Sequence, residues 1–78
     1  MKLANLNTEQ CHKDFGKFIN EARIKLGHAQ HEIATVVGIT QSYLSYIESG
    51  KRDVDLVLAL KLCDALNLDI KDFVEKYM

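Results

Sequence analysis

Thr40-Gln41-Ser42-Tyr43-Leu44-Ser45-Tyr46-Ile47-Glu48-Ser49-Gly50 is the stretch from which the fold can be read. Placing successive residues 100° apart on a helix puts Leu44, Ile47 and Glu48 on one arc and Ser42, Ser45, Tyr46 and Ser49 on the opposite one. Leu44 and Ile47 therefore face a core. The outward arc carries no charge, whereas a plainly solvated helix face would show Lys and Glu at i,i+4 spacing. Small hydroxyls, an amide and an aromatic ring suit a surface that touches something.

Working outward, Gly38-Ile39-Thr40 is the whole connection to a preceding helix over 30–37, which buries Ile33, Ala34 and Val37. Thr40 has the right chemistry to cap the helix it opens. Further upstream, Phe15, Ile19, Ala22 and Leu26 recur at helical spacing, ended by Gly27. Thr8 is a candidate cap for that first helix, with Glu9 in its first turn, behind a loose leader over residues 1–10. Downstream, Gly50 closes the central helix and residues 51–54 form a loop. Asp55 then caps a fourth helix over 56–66. Its apolar residues fall into two stripes, Leu56, Ala59, Leu60, Cys63 and Leu66 in one, Leu58 and Leu62 in the other. Asp69 caps a last helix whose apolar face is Ile70, Phe73, Val74 and Tyr77. There is no proline and no sustained period-two alternation. The pattern predicts one all-α, five-helix domain over residues 11–78.

Composition narrows the function. A chain of 78 residues holds a single small core. With 47% hydrophobic and 27% charged residues it has ordinary globular content. No run of 18 apolar residues and no signal-peptide pattern is present, so a cytoplasmic location away from membranes is expected. The two cysteines, Cys11 and Cys63, cannot make a disulfide framework, and Cys63 reads as a small buried hydrophobe. The net charge of −1 is unevenly spread. Residues 1–27 carry five basic and three acidic side chains, residues 28–54 two and three, and residues 55–78 three and five. A second small basic focus lies at Lys51 and Arg52. This footprint argues against strong non-specific binding to nucleic acid.

Two helices joined by three residues impose specific demands. Ala34 must be small where the helices pass closest, and Gly38 must take positive φ, which costs a residue with a β-carbon about 1 kcal/mol or more. Ile33, Val37, Ile39, Leu44 and Ile47 supply the shared seam. The set Phe15-Gly16, Ile19, Arg23, Gly27, Gln30, Ile33-Ala34, Gly38-Ile39-Thr40, Leu44, Ile47-Glu48-Ser49-Gly50-Lys51-Arg52, Leu56, Leu60 and Leu66 resembles the phage-repressor-like (lambda-repressor-like, XRE) helix-turn-helix family over residues 15–75. That resemblance implies a domain that lays its third helix in the DNA major groove as a homodimer on a two-fold operator.

Arg23 falls on the apolar side of the first helix, where a lone guanidinium would be costly, and Glu48 on the inward arc is its natural partner. The resemblance places an Arg-Glu pair at the same positions, so a structural ion pair is expected. By matching positions, Gln41, Ser42, Ser45 and Tyr46 are expected at base edges. Gln30, Thr40, Tyr43, Ser49, Lys51 and Arg52 are the corresponding phosphate contacts. Leu58, Leu62, Phe73 and Tyr77 are the expected dimer surface, against the simpler reading that the last two helices pack on each other. The chain departs from the family pattern at His28, at Ala29 in place of a capping Ser or Thr, and at Asp53-Val54, where a basic, proline-containing loop is usual.

His28, His31 and Glu32 sit at i, i+3 and i+4, but without a further ligand they do not make a zinc site. No catalytic set or glycine-rich phosphate loop appears, so neither a cofactor nor an enzymatic activity is expected. The function expected is that of a sequence-specific, double-stranded DNA-binding regulator, a repressor in the first instance, on a palindromic operator. The competing reading is a protein-interaction module on the same fold, such as an antitoxin or a partner-binding adaptor.

Overall fold

The computed structural model describes residues 8–78, so the expected leader lies largely outside the described residues, and Thr8, Glu9 and Gln10 already belong to a helix. The five helices are α1 (Thr8–Leu26), α2 (Gln30–Val37), α3 (Gln41–Glu48), α4 (Leu56–Ala65) and α5 (Ile70–Tyr77). No strand occurs among the described residues. α1 packs chiefly on α3 and α5, while α2 packs on α3 and α4.

Local chemistry accounts for the boundaries. The Thr40 hydroxyl accepts from the Tyr43 N–H at 3.0 Å and Asp55 Oδ1 from the Leu58 N–H at 2.7 Å. Asp69 Oδ1 accepts from the Lys71 N–H at 2.9 Å. Gly38, at φ 82°, lets its own N–H and that of Ile39 return to the Ala34 carbonyl, ending α2 within one residue. α2 opens without a side-chain cap at Ala29; instead Glu32 Oε1 reaches back to accept from the Ala29 N–H at 2.8 Å. That backbone bond, aided by His28, holds the exposed Glu32 carboxyl below the usual carboxylate range.

The core joins Phe15 and Ile19 of α1, Ile33, Ala34 and Val37 of α2, Leu44 and Ile47 of α3, Ala59, Leu62 and Cys63 of α4, then Leu66 and Phe73. Burial pushes the Cys63 thiol up, as expected for an inert packing residue. Phe15, Phe18, Phe73 and Tyr77 form a ring cluster, with Phe15 edge-on to Phe73 at 5.3 Å.

Several expectations of burial change. Leu62 and Phe73 are buried inside the protomer, at 0% and 6% exposure, and cannot form a dimer surface. Leu56 and Leu60 leave the α4 stripe assigned to them and point outward with Val57, because the core meets the arc of Ala59, Leu62, Cys63 and Leu66. Leu26 is also exposed.

Candidate nucleic-acid interface

The back of α3 is anchored by one carboxylate. Arg23 Nε donates to Glu48 Oε2 at 2.8 Å and Arg23 Nη2 donates to Glu48 Oε1 at 3.0 Å, a bidentate pair. The side chains are 12% and 3% exposed. Asn20 Nδ2, from α1, donates to the same Oε1 at 2.8 Å, and Gln30 Nε2, from the first turn of α2, donates to it at 3.0 Å. Arg23 Nη1 continues to the His28 carbonyl at 2.8 Å, tying in the turn between α1 and α2. Burial pushes the Glu48 carboxyl up, but the hydrogen bonds from Arg23, Asn20 and Gln30 together outweigh it and hold the group below the usual range. The bond to Glu48 in turn raises the Arg23 guanidinium. The expected ion pair therefore forms, within a larger network that joins three helices.

Gly16 sets the crossing of α1 over the end of α3. A methyl group there would lie against the Ile47 carbonyl oxygen and 2.7 Å from that of Glu48, so the helices approach backbone to backbone. The carboxylate network sits beside this contact.

On the front, Gln41, Ser42, Ser45 and Tyr46 are exposed, and together with Gln30 they line an open groove of about 410 Å³. The four residues expected at base edges thus share one surface, joined by a residue expected to hold a phosphate. The other phosphate candidates are dispersed. Thr40 is exposed at the start of α3, where its hydroxyl caps the helix. Ser49 lies at the opposite end and donates to the Tyr46 carbonyl at 3.1 Å. Tyr43 is half-buried; its hydroxyl donates to the Asp53 carbonyl at 3.4 Å and the Arg52 guanidinium lies 5.8 Å from its ring centre. With Asp53, Val54 and Asp55 these two line a second hollow of about 350 Å³.

Two contributors were missed from sequence. Asn20 had no signal, because a single amide on an amphipathic helix looks like surface. Lys13 has its stem against Gly50, at the end of α3 that Lys51 and Arg52 follow. Among the described residues no His, Cys, Asp and Glu side chains gather in a metal-holding group, and no helix is long and apolar enough to cross a membrane. Glu32, in the histidine cluster, is occupied by the Ala29 N–H and lies 3.7 Å from His28.

α2 and α3, their three-residue turn and a second helix braced from behind with an open face in front constitute a helix-turn-helix of the lambda-repressor-like fold. The sequence model of the family described as "Helix-turn-helix" matches residues 19–73. An uncharacterized HTH-type transcriptional regulator of Bacillus subtilis (strain 168), YgzD, is 33% identical over 54 residues, which cover 69% of this chain and 82% of that protein. An uncharacterized HTH-type transcriptional regulator of Archaeoglobus fulgidus is 37% identical over 54 residues, 69% of this chain and 77% of its own. Among solved structures, the restriction-modification controller protein C.AhdI from Aeromonas hydrophila superposes with a TM-score of 0.78 at 31% identity, covering 86% of this chain and 97% of that one. The clp gene regulator ClgR from Corynebacterium glutamicum gives a TM-score of 0.78 at 25% identity, with 83% and 84% covered. The chain belongs to the XRE-type helix-turn-helix family of transcriptional regulators.

Proposed function

We propose that this regulator is a sequence-specific binder of double-stranded DNA that reads the major groove with α3, works as a homodimer on a palindromic operator and acts as a repressor in the cytoplasm. The observation that carries the reading is the shared exposed surface of Gln41, Ser42, Ser45 and Tyr46 on a helix fixed from behind through Glu48. Gln41 can meet adenine with a donor and an acceptor in one plane, Ser42 and Ser45 are hydrogen-bonding partners of low selectivity, and the Tyr46 ring suits contact with a thymine methyl. Gln30, Thr40, Tyr43, Ser49, Lys51 and Arg52 hold the flanking phosphates, the first two beside backbone N–H groups at helix starts. Repression follows from occupancy, since a dimer on its operator obstructs a polymerase without further contacts. The exposed apolar residues of α4, Leu56, Val57 and Leu60, with half-buried Leu58 at their margin, support a dimer surface. Tyr77 is engaged with Phe18 and Phe73 and sits at the edge of the core.

The acidic lining beside Arg52 favours a second reading, a protein-interaction module on the same fold such as an antitoxin or adaptor. Selection of bound duplexes from a random pool separates the two. A palindromic consensus supports the regulator, and Gln41→Ala should then lose about 1–3 kcal/mol of discrimination at one position of each half-site. Failure to enrich any duplex, together with capture of a tight protein partner, supports the module.

A further inference from the structure

Among the described residues, Glu48 Oε1 accepts from three donors, Asn20 Nδ2 at 2.8 Å, Arg23 Nη2 at 3.0 Å and Gln30 Nε2 at 3.0 Å, while Oε2 accepts from Arg23 Nε alone. A carboxylate oxygen offers two lone pairs in its plane, so Oε1 holds one donor more than it has good sites for. Gln30 is the donor that can leave. Arg23 is bidentate and Asn20 approaches from the α1 side, away from the groove. Gln30 is at once a member of the buried network and a wall of the groove lined by Gln41, Ser42, Ser45 and Tyr46. Its carbonyl oxygen and second N–H have no partner among the described residues.

Resting on the DNA-binding reading, we propose that Gln30 is handed from Glu48 to a DNA phosphate on binding, and that Asn20 is the positioning residue that makes the transfer inexpensive. When Gln30 turns outward, Glu48 Oε1 keeps Asn20 and Arg23 as donors, so the buried carboxylate stays satisfied and the angle of α3 does not change. Without Asn20 the same rotation would leave Oε1 with a single donor, and Gln30 would be held inward as its replacement. The Gln30 amide is thus shared between fold and ligand, and Asn20 decides which of them has it.

Two measurements test this on the full chain, with the duplex obtained by selection from a random pool. In the wild-type protein, the Gln30 side-chain amide resonances should shift on saturation with duplex while those of Asn20 stay in place. In binding titrations Asn20→Ala should weaken duplex affinity by about tenfold, the scale of a lost hydrogen bond to a charged group, but by less than about twofold in a Gln30→Ala background. An unmoved Gln30 amide in the saturated complex overturns the transfer. An Asn20→Ala loss of the same size in both backgrounds overturns the role of Asn20 and makes it a structural brace only. If the wild-type chain enriches no duplex at all, the DNA-binding reading falls first and this inference with it, a result distinct from binding with an immobile Gln30.

Discussion

Glu48 is the side chain on which the orientation of α3 turns, and its removal shows what the network contributes. Glu48→Ala leaves the Arg23 guanidinium, 12% exposed, with no counter-charge. Breaking one side of a buried pair costs about 3–5 kcal/mol, and the variant should melt well below the parent in calorimetry; an unchanged Tm would show the pair to be dispensable. The carboxyl also predicts a pH dependence. Its folded-state pKa is held below the ordinary carboxylate range, so its stabilisation is fully present above the unfolded value and is lost as pH falls through the folded one. Denaturant midpoints should therefore decline below about pH 4.5, and Glu48→Gln should flatten that decline. The hydrogen bond from Arg23 to Glu48 raises its guanidinium further above an already high range, so Arg23 adds no slope at accessible pH. Arg23 and Glu48 were legible in the sequence because a charge on an apolar arc requires an explanation. Asn20 was not, since an amide is at home on a surface and the need for it appears only once α1, α2 and α3 converge on one oxygen atom.

At the level of elements, the crossing of α1 over α3 depends on the absence of one carbon. Gly16→Ala places a methyl group against two backbone carbonyls that cannot rotate away, so the helices must separate. Overpacking costs about 1–3 kcal/mol, and here the added movement should disturb the neighbouring Glu48 bonds. A urea midpoint at or above that of the parent would contradict the contact. The start of α2 offers the opposite case. Ala29 has extended cap geometry, φ −76° and ψ 157°, but no side-chain acceptor. Ala29→Ser should add the missing bond and raise stability by about 1 kcal/mol, or roughly 4–8 °C in Tm for a domain of this size. Helix boundaries were readable because their causes are local, as at Gly38, Thr40, Asp55 and Asp69. The rotation of α4 was not. A helix with leucines at 56, 58, 60, 62 and 66 has apolar residues nearly all round, and periodicity alone cannot say which arc the other helices will cover. α5 shows the same limit, with Phe73 inside and Val74 outside.

Charge and oligomeric state are coupled in this protein. The open face of α3 is neutral, and Lys51 and Arg52 follow its far end, with Asp53 and Asp55 beside Arg52. Most of the proposed phosphate contacts, Gln30, Thr40, Tyr43 and Ser49, are uncharged donors, which release no condensed counterions. Affinity in the proposed complex therefore rests on hydrogen bonds made by two protomers at once, each too weakly charged to hold DNA alone. A dimer engaging Lys51 and Arg52 on each protomer should show a slope of log K against log salt no steeper than about −4, at roughly 0.9 per neutralised phosphate. Substituting Lys51 and Arg52 together by Gln should reduce that slope by up to about 3 to 4 in the dimer while leaving the selected consensus unchanged, because those side chains position and do not read bases. A slope near −10 would mean that cations elsewhere on the chain carry the binding. An altered consensus would place Lys51 or Arg52 at base edges and move the reading surface toward the end of α3.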